Sequence, residues 1–422
     1  MDLSKKQVLV VDNGLFPKMA LRLARDFGKV YYYTPQGGQF PDINQCKLGE
    51  GLPDVERVDS IFFDGWEDVD LFVFCDVGFG FEQEHLVSLG KRVWGSRKGE
   101  DLELMRVQTK KLMKKLGLPV GPYKVLKGME ALREFIKETP GWFIKVDRYR
   151  GNFETFCAED YDLVKAHLDE IQKSTGEWST ILPFVAESPL PDCVEVGTDG
   201  FVVDGQFPEK CLSGIEDKDC GYCGIFGNYA DLPEPITRFN TKMAETFKEY
   251  QYRGFFSTEV RIGEDHVPYM IDLTCRLPSP PSELYLEMYT NISEIIWEGA
   301  DGKMVTPTSD FKFGCEIILK SQEAESCWQA VKFPPSSLKF LAFHNAVKIN
   351  GLWQIPPQPV GVPEIGAAIG LGNTLDEAVE HAKEIADSVR AHGMTPASGT
   401  TDTLKKKIEE LDKLGLNFYG KV

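Results

Sequence analysis

Polar side chains on one face of a strand that otherwise looks apolar point to phosphate or metal chemistry. The segment "FFSTEVRI", residues 255–262, is followed after "GEDHVP" by "YMIDLTCRLPSPPSE", residues 269–283. The Gly, Asp and Pro of the connection predict a hairpin turn. Because side chains two positions apart on a strand share a face, we expect Asp272, Thr274 and Arg276 to lie together.

The predicted hairpin also brings a second carboxylate to this face. Pairing of the two strands places Glu259 opposite or diagonal to Asp272, within cross-strand reach. Two carboxylates at that separation repel each other unless a cation or a proton lies between them. The hairpin alone therefore predicts either a divalent-metal site or a solvated face with salt bridges to Arg261 and Arg276.

A second group of candidate residues is basic. In "GWFIKVDRYRGNFETF" Lys145 closes an apolar strand, and a loop with Arg148, Arg150 and Gly151 follows. An ammonium group beside a glycine-containing loop is suited to hold phosphate, because glycine admits close approach of the backbone. The preceding segment "EDLELMRVQTKKLMKKLG" predicts one helix that is rich in Lys and Arg, which as a charge pattern is typical of a solvated helix face.

Composition limits the classes of function. The chain has 422 residues, a length that suggests two to four domains. Hydrophobic residues make up 42% and charged residues 27%, as is usual for globular proteins. Its net charge of −18 argues against broad nucleic-acid or membrane binding, which needs a basic surface. No apolar run approaches the ~20 residues that span a bilayer. The start, "MDLSKKQVLVVD", has no signal-peptide pattern, so we expect a cytoplasmic protein.

The cysteines predict reduced thiols and no zinc site. Ten cysteines are scattered along the chain, which is not the pattern of a disulfide framework. Cys220 and Cys223 have the spacing of two zinc ligands, but no second pair or nearby histidine completes a set of four. We interpret them as part of a glycine-rich loop.

The first 95 residues predict a small doubly wound α/β unit. Apolar strands such as "KQVLVVDNGL" and "DLFVFCDVG" alternate with segments of helical periodicity. The first loop holds a single glycine, whereas a dinucleotide fingerprint needs several for the tight turn and the pyrophosphate. An NAD-dependent oxidoreductase is therefore a weak alternative.

The order of these segments resembles the ATP-grasp ligases and, among them, the phosphoribosylamine–glycine ligases (glycinamide ribonucleotide synthetases). The resemblance is carried by "YRGFFSTEVRI" and "MIDLTCRLPSPP", by a glycine-rich central loop "EKCLSGIEDKDCGYCGIFGNYADLPEP", and by "EVGTDGF" in place of a Thr-Asp-Gly turn. A final segment, "FHNAVKINGLW" with "AIGLGNTLDEAVEHAKEIA", resembles the family's C-terminal α/β segment. Together these motifs extend from about residue 85 to 390.

The resemblance implies a fold of mixed α/β and α+β class. It divides the chain into an N-terminal Rossmann-like domain at 1–95 and an ATP-grasp domain at 96–305, whose nucleotide-binding lid covers about 120–185. A small C-terminal α/β domain follows at 306–400, and a helical tail at 401–422. Small-molecule carboxylate and amine substrates are the implied partners, and an oligomer is compatible with the sequence.

The resemblance also implies a site for ATP and Mg²⁺, with Mn²⁺ as a substitute. The implied nucleotide contacts are Arg106 and Lys110 on the basic helix, Lys145, Arg148 and Gly151, backbone groups around Phe184 and Val185, and Glu187 or Asp192 as the ribose-binding acid. The implied metal ligands are Glu259, Asp272 and Thr274. Arg276 would bind the substrate carboxylate or an acyl-phosphate, and Lys210 would face the nucleotide or the acyl-phosphate.

The implied activity is ADP-forming ligation of a carboxylate to an amine through an acyl-phosphate, with glycine or another small amino acid as the acid. The chain departs from the family at Thr274, where the family has Asn, and in the first loop, "DNGLFPKMA", where the family grips a phosphate. That loop offers Lys18 and one glycine beside Asp12, so we expect an altered amine acceptor. Two alternatives stay open: a true phosphoribosylamine–glycine ligase, and a catalytically degenerate ATP-binding scaffold.

Overall fold

The structure is a computed structural model that describes residues 2–35, 48–148, 155–190, 193–217, 220–357, 364–396 and 400–416. Its strands, in chain order, are β1 Gln7–Val11, β2 Lys29–Tyr33, β3 Glu56–Arg57, β4 Leu71–Phe74, β5 Arg92–Trp94, β6 Tyr123–Lys127, β7 Trp142–Val146, β8 Thr155–Ala158, β9 Pro183–Glu187, β10 Val194–Val203, β11 Lys210–Asp217, β12 Gly221–Asn228, β13 Arg253–Ile262, β14 Tyr269–Thr274, β15 Phe313–Ser321, β16 Gln329–Val331, β17 Leu341–Phe343, β18 Val347–Ile349, β19 Leu352–Ile355, β20 Glu364–Gly372 and β21 Met394–Pro396. Its α-helices are α1 Pro17–Leu23, α2 Gly80–Ser88, α3 Asp101–Leu104, α4 Arg106–Lys115, α5 Gly128–Glu138, α6 Tyr161–Thr175, α7 Glu234–Glu249, α8 Ser282–Met288, α9 Ile292–Ala300, α10 Leu375–Ser388 and α11 Thr400–Lys413.

The N-terminal sheet has five parallel strands in the order β3-β2-β1-β4-β5. Its central strands β1 and β4 are almost entirely apolar and buried, as expected for parallel strands covered on both faces. Asp12 and Asp76 follow these two strands closely, so both acids lie at the carboxyl edge of the sheet. Ligands of open α/β sheets usually bind at that edge.

A four-stranded antiparallel sheet follows, in the order β6-β9-β7-β8. Helices α5 and α6 cover it with apolar side chains at helical spacing, and these form a separate hydrophobic core with the inner faces of the strands. The apolar strand that ends near Lys145 is β7, as the sequence predicted. This sheet therefore presents Lys145 from a rigid strand.

The largest sheet is antiparallel, with eight strands in the order β14-β13-β10-β11-β12-β15-β20-β17 and β21 paired to β15. The predicted hairpin is formed by β13 and β14. Strand β12 pairs with β15, so the same sheet continues across the domain boundary predicted at residues 305 and 306. The boundaries of the domains stay a prediction.

Three local predictions were wrong. The "EVGTDGF" segment is not a turn but the middle of strand β10, and the glycine-rich central loop forms the paired strands β11 and β12. The basic segment is not one helix, because Met105 has backbone angles outside the helical region and separates α3 from α4. In each case pairing or packing with distant segments prevails over the local sequence pattern.

The described part of the chain contains no helix that is both long and apolar enough to cross a membrane. The tail predicted as one helix begins as α11, which lies against the end of β11. There Lys407 donates a hydrogen bond to the backbone oxygen of Glu216 at 2.6 Å and pairs with Asp217 at 3.4 Å. Helix α11 therefore helps to hold the end of that strand.

Candidate functional site

A cavity of about 350 Å³ lies between the large sheet and the segment that contains α3 and α4. A volume in this range is typical of sites for small molecules. Five of the residues predicted from the sequence line it: Arg106, Glu259, Asp272, Thr274 and Arg276. The other described lining residues are Glu103, Thr155, Glu216, Leu273, Pro278, Ser279, Pro280 and Glu364. Tertiary structure thus brings together residues that are up to about 260 positions apart in the chain, from Glu103 to Glu364.

The hairpin supplies the carboxylates of this cavity. Glu259 and Asp272 are direct partners in the β13–β14 register, and Ser257 pairs with Thr274. The register shifts immediately after Glu259, which marks a β-bulge at the site. The Thr274 hydroxyl donates a hydrogen bond to Oε1 of Glu259 at 3.2 Å. The cross-strand proximity predicted for the two carboxylates is therefore present.

Lys145 crosses from β7 to the hairpin. Its Nζ donates to the backbone oxygen of Ile271 at 2.8 Å and lies 2.9 Å from Oδ2 of Asp272. Burial acts to lower the pKa of Lys145, but Asp272 and Glu187 more than compensate and raise it. Burial likewise acts to raise the pKa of Asp272, and the nearby cations, Lys145 foremost, hold it below its ordinary value. Both groups are therefore charged at neutral pH.

Glu187, at the end of β9, joins two lysines. Its carboxylate lies 2.7 Å from Nζ of Lys110 and 3.5 Å from Nζ of Lys145. Lys110 also donates to the backbone oxygen of Met270 at 3.3 Å. Burial, with the repulsion of Lys145, lowers the pKa of Lys110 despite the attraction of Glu187. The structure therefore places the proposed ribose acid within an ion-pair chain of buried lysines.

Arg106 begins α4 and is buried beside this chain. Its Nη1 donates to the backbone oxygen of Val146 at 2.6 Å, which fixes the guanidinium between α4 and β7. A guanidinium held in this way presents a fixed charge to the cavity that it lines.

Arg276 is oriented by carboxylates of two other segments. Its Nε donates to Oε1 of Glu103 at 3.0 Å and lies 3.6 Å from Oδ1 of Asp76. Glu103 also accepts a hydrogen bond from the backbone N–H of Cys275 at 2.7 Å. The guanidinium is thus positioned between the cavity and the carboxyl edge of the N-terminal sheet.

Four predicted contacts are not brought to the cavity. Lys210 is the first residue of β11 and lies against Phe226 in a different pocket. Glu216, the residue of β11 that lines the cavity, is six residues and roughly 20 Å further along the strand. Arg148 is largely exposed, with its Nε 3.6 Å from Asp147. Phe184 and Val185 are buried in the inner strand β9, which pairs with both β6 and β7 and so lies away from the cavity lining. The contact of backbone groups around them with the adenine stays a prediction.

Two further predicted contacts, Gly151 and Asp192, lie outside the described residues. Their roles, and that of Lys210, stay predictions.

Asp199 is a buried acid near the cavity that the sequence reasoning missed. It accepts hydrogen bonds from the hydroxyls of Ser257 at 2.7 Å and Tyr222 at 2.8 Å. Burial raises its pKa to about 6, although both hydrogen bonds act in the opposite direction. It lines a small pocket that shares Glu216, Glu259 and Pro280 with the cavity. Reading "GTDG" as alternating strand residues would have pointed to it.

The first loop is closed by the protein's own groups. The Asp12 carboxyl accepts hydrogen bonds from the backbone N–H groups of Gly14 and Phe16 and from the Tyr32 hydroxyl at 2.7 Å. Lys18 is buried and lies 2.8 Å from Oε1 of Glu287. Neither residue lines the cavity.

The cavity's oxygen donors fit a magnesium ion bound together with a phosphate ligand. Glu259 and Asp272 supply carboxylates and Thr274 a hydroxyl, all on one hairpin. Within the described residues no group of three or more His, Cys, Asp or Glu side chains is arranged to hold a metal ion. Cys220 and Cys223 are therefore not part of such a group. Mg²⁺ commonly binds through one or two carboxylates, waters and substrate phosphates, so a complete protein cage is not required.

Comparison with known proteins yields no matching family model. The phosphoribosylamine–glycine ligase of Thermotoga maritima is 24% identical over 318 residues, which cover 70% of this chain and 76% of that protein. The crystal structure of phosphoribosylamine–glycine ligase from the same organism superposes with a TM-score of 0.69 at 19% identity, covering 92% of this chain and 98% of that one.

Similar folds occur in two carboxylase structures. Biotin carboxylase of Campylobacter jejuni, in complex with β-γ-ATP, has a TM-score of 0.62 at 14% identity and covers 97% and 95% of the two chains. The biotin carboxylase domain of Hydrogenobacter thermophilus 2-oxoglutarate carboxylase, in complex with MgADP and bicarbonate, has a TM-score of 0.66 at 13% identity and covers 98% of each. The resemblance and the fold class inferred from the sequence are confirmed.

Proposed function

We propose that this chain, which has the ATP-grasp fold, is an ATP-dependent carboxylate–amine ligase that forms ADP and a C–N bond. The single observation that carries the proposal is the cavity in which Arg106 and Arg276 face the Glu259–Asp272 pair, with Lys145 reaching Asp272 from β7. Cations of this kind neutralise phosphate, and paired carboxylates hold a hard cation. The similarity to the T. maritima ligase supports the same reading.

The basic side of the cavity would bind the nucleotide phosphates. Lys145 and Arg106 are buried, charged and fixed by hydrogen bonds to backbone oxygens. Groups fixed before substrate arrives stabilise a developing charge without reorganising. Glu187, which pairs with Lys110 and Lys145, would orient the lysines, and this role is additional to the ribose contact predicted from the sequence.

The hairpin would hold the metal. Glu259 and Asp272 would ligate Mg²⁺ directly, and Thr274 would contact it directly or orient Glu259, to which it donates a hydrogen bond. A bound Mg²⁺ neutralises phosphate charge and orients the transferred group. Lys145 and Asp272 are in contact in the structure, so the carboxylate is kept ionised and ready to bind a cation.

The proposed chemistry has two displacements. An oxygen of the substrate carboxylate, bound by Arg276, attacks the γ-phosphorus of ATP; the bond to the bridging oxygen breaks and ADP leaves. The acceptor nitrogen then attacks the acyl carbon of the resulting acyl-phosphate, the carbon–oxygen bond breaks, and inorganic phosphate leaves with the proton of the amine. The protein positions and neutralises charge in both steps and supplies no covalent nucleophile.

Trapping with hydroxylamine tests this reaction. The protein is incubated with ATP, Mg²⁺, hydroxylamine and a panel of small amino acids that includes glycine, and hydroxamate, ADP and AMP are measured. We expect hydroxamate and ADP in equal amounts. AMP with pyrophosphate would indicate adenylation, and neither product with any acid would favour the ATP-binding scaffold; either result would overturn the proposal.

A further inference from the structure

We infer that the protein has a second binding site, beside the edge strand β5, for a small molecule that carries a carboxylate or phosphate group. The site is separate from the proposed active site, and the inference does not rest on the proposed function. Three features carry it: a cavity, a buried guanidinium that forms no ion pair with any described residue, and the pairing of the other charged groups around it.

The cavity has a volume of about 580 Å³, which is within the range of sites for small molecules. It lies along β5, between the residues that precede β4 and the first residues of β13. Lys91 and Arg92 line it at the start of β5, and Arg253 lines it at the start of β13. Among the described residues, it shares no lining residue with the cavity of the hairpin. The two cavities are therefore distinct places in the fold.

Arg97, in the turn that follows β5, is a buried cation of this lining and is only 3% exposed. Its Nη1 donates a hydrogen bond to Oε1 of Gln251 at 3.3 Å, and its buried Nε has no hydrogen-bond partner. No carboxylate in the described part of the chain forms an ion pair with the guanidinium. A charge removed from water without a partner destabilises a fold, so buried charges are usually paired. Arg97 is therefore suited to a partner that a ligand supplies.

The charged groups around Arg97 do not neutralise it. Burial and the repulsion of Arg253 lower the pKa of Arg97, and the attraction of Glu84 and Asp204 offsets only part of this. Asp204 is itself paired with Arg253, whose Nη2 lies 2.8 Å from Oδ2 of Asp204. Nη1 of Arg253 also donates to the backbone oxygen of Ala300 at 2.9 Å, which fixes the second guanidinium at the cavity. An oxyanion between the two arginines would pair with the first and reduce their repulsion.

The carboxylates of the described lining are either paired with other cations or exposed. Asp70 accepts a hydrogen bond from Nζ of Lys6 at 2.9 Å, and Asp301 accepts two from Arg92 at 2.8 and 2.9 Å. The remaining two lie in the turn Trp66–Asp68 and are exposed to solvent, where water screens their charge. The described lining therefore does not compensate the charge of the buried guanidinium.

A carboxylate or phosphate group matches these surroundings better than a halide ion does. A guanidinium holds its N–H groups in a planar fork, and two oxygens on one atom accept two parallel hydrogen bonds from it. Lys91, whose Nζ donates to the backbone oxygens of Glu67 and Val69, adds positive charge to the same lining. The volume of the cavity exceeds that of a single oxyanion. The ligand class is therefore a small molecule with at least one carboxylate or phosphate group.

Thermal unfolding in different salts tests the site. The midpoint for the parent protein is measured in sodium phosphate, sodium malonate and sodium chloride at equal and low ionic strength, without nucleotide or Mg²⁺. We expect phosphate or malonate to raise the midpoint by about 2 °C more than chloride, because a ligand that binds only the folded state stabilises it. A rise in phosphate alone identifies a phosphate ligand, and a rise in malonate alone identifies a carboxylate ligand. No rise in either salt would overturn the inference.

Two substitutions assign the effect to Arg97. Arg97→Met removes the charge and should abolish the difference between the oxyanions and chloride. In chloride its midpoint should equal or exceed that of the parent, because an unpaired buried charge has been removed. Arg97→Lys keeps the charge without the planar fork and should retain a smaller rise. Arg238→Met, at an exposed arginine of α7 outside the cavity, is the matched control and should keep the full rise.

The variants and a crystal structure also define the results that contradict the inference. Equal rises in the parent and in Arg97→Met would place the anion outside this cavity, and a lower midpoint of Arg97→Met in chloride would indicate a purely structural role; either would overturn the inference. Crystals grown with the anion that gives the larger rise should show it beside Arg97, and density for it only in the cavity of the hairpin would also overturn the inference. None of these results bears on the proposed ligase, because the two cavities share no described lining residue.

Discussion

The basic side of the cavity and the first loop both contain buried charged groups, but the partners of these groups differ. On the basic side, a continuous chain of ion pairs ends at the cavity and consists of Lys110, Glu187, Lys145 and Asp272. In the first loop, Asp12 satisfies the loop's own donors, away from the cavity. In the first region the ion pairs end at the cavity, whereas in the first loop the polar groups are paired within the fold.

This difference shows why residue type alone does not identify a binding site. A lysine near a glycine loop occurs in both regions, and both lysines are almost fully buried. What separates them is the partner: Lys145 contacts a carboxylate that lines the cavity, whereas Lys18 contacts Glu287 in the interior. The same residue type therefore borders the cavity in one place and takes part in interior packing in the other.

The largest effect is expected at the carboxylate that joins the ion-pair chain to the cavity. Asp272→Asn should lower ADP and hydroxamate formation by about 10²–10³-fold, because it removes a metal ligand and the partner of Lys145 at once. The fold should persist, as measured by circular dichroism. Glu264→Gln, in the exposed turn of the same hairpin, is the matched control and should retain activity. Equal activity of both variants would remove the hairpin from the active site.

Substitution of two lysines tests whether position outweighs residue type. Lys145→Ala should reduce the rate of ADP formation about 100-fold, since a fixed charge is lost at the site of phosphate transfer. Lys210→Ala should leave that rate close to the parent value, because Lys210 lies in a different pocket. Initial rates at saturating ATP, with unfolding midpoints of both variants, make the comparison. A comparable loss in Lys210→Ala would restore the catalytic role predicted for it from the sequence.

The smallest effect concerns the first loop and appears as a pH dependence of stability. Burial raises the pKa of Asp12 from 3.8 to about 7, although its three donors act in the opposite direction. Between these two pH values the folded chain holds a proton that the unfolded chain has released, so the contribution of Asp12 to stability falls as pH rises. Asn cannot ionise, and Asp12→Asn should therefore gain stability relative to the parent as pH rises from 4 to 7, by roughly 1 kcal/mol per pH unit at most.

Urea unfolding of parent and Asp12→Asn at pH 5 and pH 7 measures this difference. The groups near Asp12 that also carry or accept charge are Tyr32, Cys75 and Asp76, and they are unchanged in the variant. Hydroxamate formation should be the same in both proteins at pH 7. A constant stability difference across this range would show that Asp12 does not change protonation there.

Regular apolar patterns made most of the secondary structure predictable. Alternating helices and strands near the N-terminus gave the parallel sheet, and the Gly-Asp-Pro turn gave the β13–β14 hairpin with Glu259 opposite Asp272. Glycine-rich strands were not predictable in this way. Strands β11 and β12 contain four glycines and resemble a loop locally, and they become strands because each pairs with neighbours on both sides.

The sequence by itself determined the types of chemistry that the chain can perform: a basic α4, a lysine at the end of β7, and two carboxylates on one hairpin. Local spacing suffices for these, because neighbours on a strand or a helix have fixed relative directions. Only the tertiary structure decided which charges meet. Long-range packing brings Lys145 into contact with Asp272. It also buries Lys18 and Asp12 in the interior, and it places Lys210 in a different pocket. Burial requires each of these charged groups to have a partner, because an unpaired charge removed from water destabilises the fold.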